Sequence, residues 1–425
     1  MDQFFSILDS VLRSEESEHS RTNNILLAEY REQASARYHA LAVPNPKDKN
    51  WAKLANLALP AGSFQPPVEP RILSAQPAEL QDDLAGMIEI SENEIRFKLT
   101  DFCRESGVVA CDLQTAAKDH SKLFEKSQTT ALLNKSNKVA AFTNGASRHG
   151  FLLFIPRMLK IKKPIEIRWK LNRANSVLPA TCLIVLDEQA SATVINRQES
   201  DITGGGAIAT SSWNLHLGDS AALRVLEMQN YGKNIWSFSN QQILLGKDAL
   251  LEYLLLDKGS AVLQRNLSVT LQKDGGKAEI TGIYTPQAGQ HFVIDTFQNH
   301  LASDTTSDLL FGGVLKDDAF SLWKGNIYVS EGTKGTDGFQ RNKNLLLSEA
   351  AHAEAIPGLE IIADDVRCSH AVTLSSVDAE QLFFLRSRGI SEKEAQDLIV
   401  SGFLESAATR IRDQELKERI LEALN

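Results

Sequence analysis

The chain has 425 residues, 43% of them hydrophobic and 23% charged, an ordinary globular composition with room for two or three domains or one long solenoid. Its formal net charge of −9 leaves no basic surplus to neutralise phosphates, so neither a nucleic acid nor an anionic membrane surface is expected as a partner. The longest apolar runs, such as "LLFIP" and "LEYLLLDKG", are too short to cross a bilayer, and the acidic start "MDQFFSILDS" does not resemble a signal or transit peptide. Cys103, Cys111, Cys182 and Cys368 are few and unpatterned, which suits a reducing cytoplasm rather than a disulfide framework.

Residues 1–85 read as a helical region followed by a connector. "DQFFSILDSVL" offers Asp2 as a cap and sets Phe4, Leu8 and Val11 on one stripe, and "NNILLAEYREQASARYHAL" continues in that style. Prolines crowd between Pro60 and Pro77, which predicts an extended linker. Residues 86–370 change period. In "PIEIRWKL", Ile165, Ile167, Trp169 and Leu171 alternate with Glu166, Arg168 and Lys170, the pattern of a half-buried strand.

A weak repeat runs through this region: "LGDSAALRVLEM" at 217, "LGKDALLEYLLL" at 245, "LQKDGGKAEITG" at 271 and "LKDDAFSLWKGN" at 315. Each is a leucine, a polar turn with Asp, a small residue and then a strand. The first three begin 28 and 26 residues apart, a spacing that favours a parallel β-helix, with a sandwich as the competing architecture. Residues 371–425 turn helical: "DAEQLFFLRSRG" runs from a capping Asp378 to Gly389, and "SEKEAQDLIVSGF" opens on the capping box Ser391-x-x-Glu394. Such short helices must pack on something, either the solenoid or another protein.

Few motifs carry chemistry. "ITGGGAI" lacks the lysine and spacing of a phosphate-binding loop and reads as a turn. His291, Asp295 and His300 match no standard metal spacing and read as polar residues of the strands or turns. Asp364 and Asp365, if on a strand, point to opposite faces and cannot act as a glycosidase pair. "DDVRCSHAVT" is the one unusual stretch. On a strand it aligns Cys368 and His370 with Val366 and Val372. A thiol and an imidazole so placed are soft-metal ligands, a nucleophile with its base, or a packed cysteine beside a hydrogen-bonded histidine.

With "GQHFVIDTFQNH", "LLFGGVLKDDAFSLWKGNIYV" and the segments that follow, the chain resembles the SufB/SufD family of iron–sulfur cluster assembly proteins. Gln340, Asn342, Asn344 and the leucines up to Ser348 match the family's Gln-x-Asn-x-Asn-Leu-Leu-Leu-Ser stretch. Pro357, Leu359, Glu360 and Ile361 match a P-x-L-E-I segment, Asp364 to His370 match D-D-V-x-C-S-H, and "LFFLRSRGI" matches a C-terminal helix. The resemblance is specific over roughly residues 280–405, and "DKNWAKLANLAL" is more similar to the SufD branch. Ala371 and Phe384 stand where glycine and tyrosine are usual.

The resemblance implies a right-handed parallel β-helix between N-terminal and C-terminal helical regions, and a scaffold rather than an enzyme. It implies pairing with SufB, with a homodimer expected when SufB is absent. It implies docking of the SufC ATPase on C-terminal helices, for which Leu382, Phe383, Phe384, Leu385, Arg388, Gly389 and Ile390 are the candidates. It places Cys368 and His370 at the SufB-facing interface, holding iron or a nascent iron–sulfur cluster in the complex, with no cofactor on the isolated chain and a cytoplasmic setting. The competing readings are a SufB-type sulfur-accepting scaffold and a β-helix enzyme acting on polysaccharide.

Overall fold

The computed structural model describes residues 1–19, 24–54, 57–59, 62–74, 80–131, 137–408, 410 and 418–420. From His149 to Ser376 the chain winds into a β-solenoid of about eight coils. Its strands alternate between an eleven-stranded and a nine-stranded sheet, each solenoid strand pairing in parallel with the strand one coil away. The expected parallel β-helix flanked by helical regions is what the chain forms, and the sandwich is excluded because sandwich sheets are antiparallel.

Register is constant from coil to coil. On the inward face, Ala192, Leu223, Leu251, Ala278, Ser307, Gly338 and Cys368 form one column of directly opposed residues. The corner entering the eleven-stranded sheet keeps the coils in phase. Gln189, Ser220, Asp248 and Asp304 sit there at φ of 59, 55, 52 and 56°, with Gly275 and Gly335 at the equivalent place. Each donates its backbone N–H to the next coil, as in Ser220 to Lys247 at 2.6 Å and Asp304 to Lys334 at 2.8 Å. Short polar residues and glycine tolerate this left-handed conformation, which explains the Asp-bearing turns of the repeat. The fourth segment, "LKDDAFSLWKGN", turns the opposite corner, from Thr306–Leu315 into Phe320–Val329 of the nine-stranded sheet. The true fourth member begins at His300, which stands opposite Leu271 in the column of the opening leucines, and reaches Asp304, a match hidden because histidine replaces the leucine.

The ends of the solenoid differ. At the first coil, Glu94–Leu99 pairs antiparallel with Gly86–Ser91, and Val109–Asp112 pairs antiparallel with His149–Ile155. The proline-rich stretch also contributes a strand, Arg71–Ser74, parallel to Glu94–Leu99, so it is more than a linker; Pro60 and Pro77 themselves lie outside the described residues. Helices Asp101–Glu105, Leu113–Asp119, Ser121–Ala131 and Lys138–Ala146 interrupt the β region before the coils begin. The last strand, Val366–Ser376, runs past residue 370, where the sequence reading placed the change to helix, and Ala379–Ser387 is the next helix.

Both sheets are covered on their outer faces, so many strands are buried on both sides and lose clean alternation. Phe4 of helix Asp2–His19 and Trp51 of Lys49–Ala52 stack on Phe238 of the nine-stranded sheet, at ring separations of 4.8 and 6.3 Å. Leu404 and Ile420 pack on Leu226, Leu254 and Leu310 of the eleven-stranded sheet. The interior also holds charge. Arg265 makes bonds of 2.6 and 3.0 Å to Asp257 and 2.9 Å to Glu227, and all three side chains are buried. Gln198, Gln241 and Tyr253 donate to the remaining Glu227 lone pairs at 3.1, 2.8 and 2.7 Å. Breaking such a triad leaves two unpaired buried carboxylates, so Arg265→Met is expected to cost about 3–5 kcal/mol, read as a shift of the denaturant midpoint.

Asp295 ties the N-terminal segment to the solenoid. It accepts from the Asn50 side chain at 2.5 Å, while its second oxygen is buried without a partner. Burial pushes its carboxyl up to about 6, although Lys324 and Asn50 pull it down. The folded state therefore holds this proton more tightly than the unfolded chain does. Its contribution is full below pH ~4 and is lost as pH rises to ~6. Asp295→Asn is expected to flatten that decline and to raise stability at pH 7 by roughly 2–3 kcal/mol, measured by unfolding across the pH range.

Candidate functional site: the open end of the solenoid

Val366–Ser376 is the last strand of the eleven-stranded sheet and His352–Ile361 the last of the nine-stranded one. Cys368, His370, Val372 and Leu374 lie opposite Gly338, Gln340, Asn342 and Asn344 of the preceding coil. Gln340, Asn342 and Asn344 are fully buried in the interior, so the four residues of the last strand face inward as well. They have no further coil above them among the described residues. On the facing sheet, Leu359 and Ile361 continue the inward column of Ile327 and Val329. Leu359, Ile361, Val372 and Leu374 are 38, 40, 42 and 54% exposed. A cross-section of solenoid core is thus left open to solvent. The sequence announces it only through period-two apolar residues in "VRCSHAVTL", which say which face they share but not that the solenoid stops there.

Cys368 and His370 do share a face, with Cα atoms about 6.6–7 Å apart from the rise of a strand. Cys368 is half-buried and His370 exposed. Burial pushes the Cys368 thiol up, a hydrogen bond from the Gly338 N–H pulls it down, and Asp337 pushes it up again. Asp364 and Asp365 lie in the bend before this strand rather than on it, and the Asp365 carbonyl accepts from the Gly335 N–H at 2.9 Å.

The structure separates His291, Asp295 and His300. His291 lies tilted against Phe320, whose ring stacks on His352, on the outer side of the nine-stranded sheet. Asp295 shares that outer face, whereas His300 points inward and is fully buried. Burial lowers the imidazole of His300 to about 4. Among the described residues no three His, Cys, Asp or Glu side chains gather as a metal site. All four cysteines are free.

Helix Ala379–Ser387 is capped by Asp378, whose side chain accepts from the Glu380 N–H at 2.8 Å. It ends at Gly389, whose φ of 87° requires glycine. Phe383 and Phe384 are 75 and 54% exposed, and the Arg388 guanidinium lies 4.5 Å from the Phe384 ring centre. Leu382, Leu385 and Ile390 are partly exposed beside them. The following helix, Glu392–Ala408, opens with the predicted capping box, in which Glu394 accepts from the Ser391 N–H at 3.1 Å and its own N–H donates to the Ser391 hydroxyl at 3.3 Å.

Residues 169–403 match the family described as SUF system FeS cluster assembly, SufBD core domain. The chain belongs to this family. An iron–sulfur cluster assembly SufBD family protein of Mycobacterium leprae is 29% identical over 297 residues, covering 68% of this chain and 74% of that protein. The iron–sulfur cluster assembly protein SufB of Bacillus subtilis is 24% identical over 330 residues, covering 77% of this chain and 71% of that protein. A SufBD family protein of Staphylococcus saprophyticus matches with the same 24% identity over 330 residues. The chain is therefore a component of SUF-type cluster assembly. No helix among the described residues is long and apolar enough to cross a membrane.

The two histidines near the open end separate structural from exposed roles. His370→Ala and Cys368→Ala should each change unfolding free energy by no more than about 0.5–1 kcal/mol, as surface and edge positions do. His300→Ala, which empties a buried site and takes one hydrogen-bond partner from each of two hydroxyls, should cost about 2–4 kcal/mol. Denaturant titration of the three variants checks this.

Proposed function

We propose that this chain is the SufD-like, non-catalytic subunit of a cytoplasmic assembly with SufB and the SufC ATPase. The observation that supports it most is the uncovered solenoid end, where a thiol and an imidazole project from the terminal inward row. An open parallel edge with apolar residues beneath it is suited to pair with a like edge of another chain. Of the two edges, His352–Ile361 carries Pro357, which has no N–H to donate, whereas Val366–Ser376 has no proline. The strand bearing Cys368 and His370 is therefore the better pairing edge.

The nascent cluster is cargo in this reading. Cysteine thiolate and neutral imidazole are both donors that iron accepts. Two ligands from one chain leave the remaining positions to SufB and sulfide. The exposed Phe383 and Phe384, with Arg388 and Leu385 beside them, offer a docking face for SufC. The SufB-type alternative has the support of the Bacillus subtilis relative. The SufD assignment draws on the "DKNWAKLANLAL" segment, whose Trp51 packs into the aromatic cluster with Phe4, Phe5 and Phe238.

Purification from native cells tests the assignment: a SufD-like subunit brings SufB and SufC with it, and recovery of the chain with SufC alone overturns it. In the purified complex, His370→Ala should leave subunit composition unchanged and lower iron and acid-labile sulfide several-fold. A His370→Ala complex with full iron, sulfide and visible absorbance removes His370 from the mechanism.

A further inference from the structure

The proposed role of Cys368 depends on where its sulfur sits, and the position beneath it is exceptional. In the inward column, Ala192, Leu223, Leu251, Ala278 and Ser307 all carry a side chain, and Gly338, directly under Cys368, carries none. Gly338 is not among the positive-φ glycines, so its backbone conformation is open to other residues and the reason for glycine is space. A Cβ there would lie 3.1 Å from Ile327 Cγ2, 3.2 Å from the Cys368 sulfur and 3.5 Å from His300 Nε2. Two of these are tighter than ordinary contact, so a neighbour would have to yield.

The neighbours differ in their freedom to yield. Ile327 is fully buried between coils. His300 is fully buried and held on both ring nitrogens, by the Thr305 and Ser307 hydroxyls, each at 2.8 Å. The hydrogen-bond chain assigns its tautomer: Thr305 donates its hydroxyl to the Ala302 carbonyl at 3.1 Å and so accepts from Nδ1–H. Ser307 then donates to Nε2 and accepts from Gln298 at 2.6 Å. Every hydrogen-bonding site on the imidazole is used, which leaves its edge as a rigid wall. Cys368 stands on the outermost strand, with nothing above it among the described residues, and is the one free to move.

We propose that Gly338 is a positioning residue for Cys368: its bare Cα, walled by His300 and Ile327, forms the seat that holds the thiol on the inward row beside His370. The proposal rests on the cluster-holding role of that row. Its first tests use the isolated full-length chain, so they succeed or fail independently of the cluster measurement on His370→Ala.

Gly338→Ala should push the sulfur out of its seat and raise the alkylation rate of Cys368 by iodoacetamide several-fold at a fixed pH, followed on the Cys368 peptide by mass spectrometry. In a double-mutant cycle, Cys368→Ala should restore part of the stability that Gly338→Ala removes, because the contact with the sulfur is gone while that with Ile327 remains. If Gly338→Ala fails to fold, folding of the Gly338→Ala/Cys368→Ala chain supports the seat, and failure of that chain also to fold overturns it. An unchanged alkylation rate, or additive stability losses in the cycle, likewise overturns it. In the complex, Gly338→Ala should lower iron and sulfide content with SufB and SufC still bound, and full loading there overturns the positioning role.

Discussion

Parallel pairing of coil upon coil at one constant register governs this structure. A parallel strand finds partners for its N–H and C=O groups only on its neighbours, so each coil must return in phase with the last. A slip of one residue would turn every inward side chain outward. The stacked left-handed corner at Gln189, Ser220, Asp248, Gly275, Asp304 and Gly335 prevents the slip, because each residue passes an N–H to the next coil as well as reversing the chain. Once phase is set, residues distant in sequence stand in columns, and the contents of the interior follow from what each column can hold.

Those columns account for the buried charge. Glu227, Asp257 and Arg265 come from different strands and meet only because the register aligns them. Burial lifts the Asp257 carboxyl while Arg265 pulls it down, and the two-pronged guanidinium contact with Tyr253, Gln198 and Gln241 around Glu227 leaves few lone pairs unmet. An arrangement of this kind adds less to stability than an apolar core of the same volume would, but it penalises any register that splits the three residues.

The sequence showed the architecture better than it showed the interior. The Leu-turn-Asp repeat marked the corner three times correctly and failed at Lys316–Phe320, where a similar turn serves the opposite corner. Strands such as Ser176–Leu186 and Ile235–Leu245 are buried on both faces by the covering helices, so their alternation is blurred at the source. Charged residues on strands read naturally as solvent-facing, which hid the Arg265 triad. Whether Asp364 and Asp365 lie on a strand is not legible, because nothing local distinguishes a bend from the first pair of a strand, and the structure places them in the bend. The shared face of Cys368 and His370 was legible from period two alone. Their roles were not, because spacing cannot say whether a coil lies above them.

That last point separates the candidate site from the core. His300 and His370 are the same side chain, and both project into the solenoid's inward face. His300 lies between coils, closed to solvent and held by two hydroxyls, with burial lowering its imidazole to about 4. His370 lies on the terminal coil and is exposed, beside a half-buried thiol and a row of uncovered apolar residues. The first coil turns its edges back with antiparallel strands, and the last coil leaves them open. An inward-facing donor within the stack can only serve the core. The same donor on the final coil has no coil above it among the described residues, so ending the solenoid at this strand leaves core positions exposed, which is what the proposed ligand role requires of them.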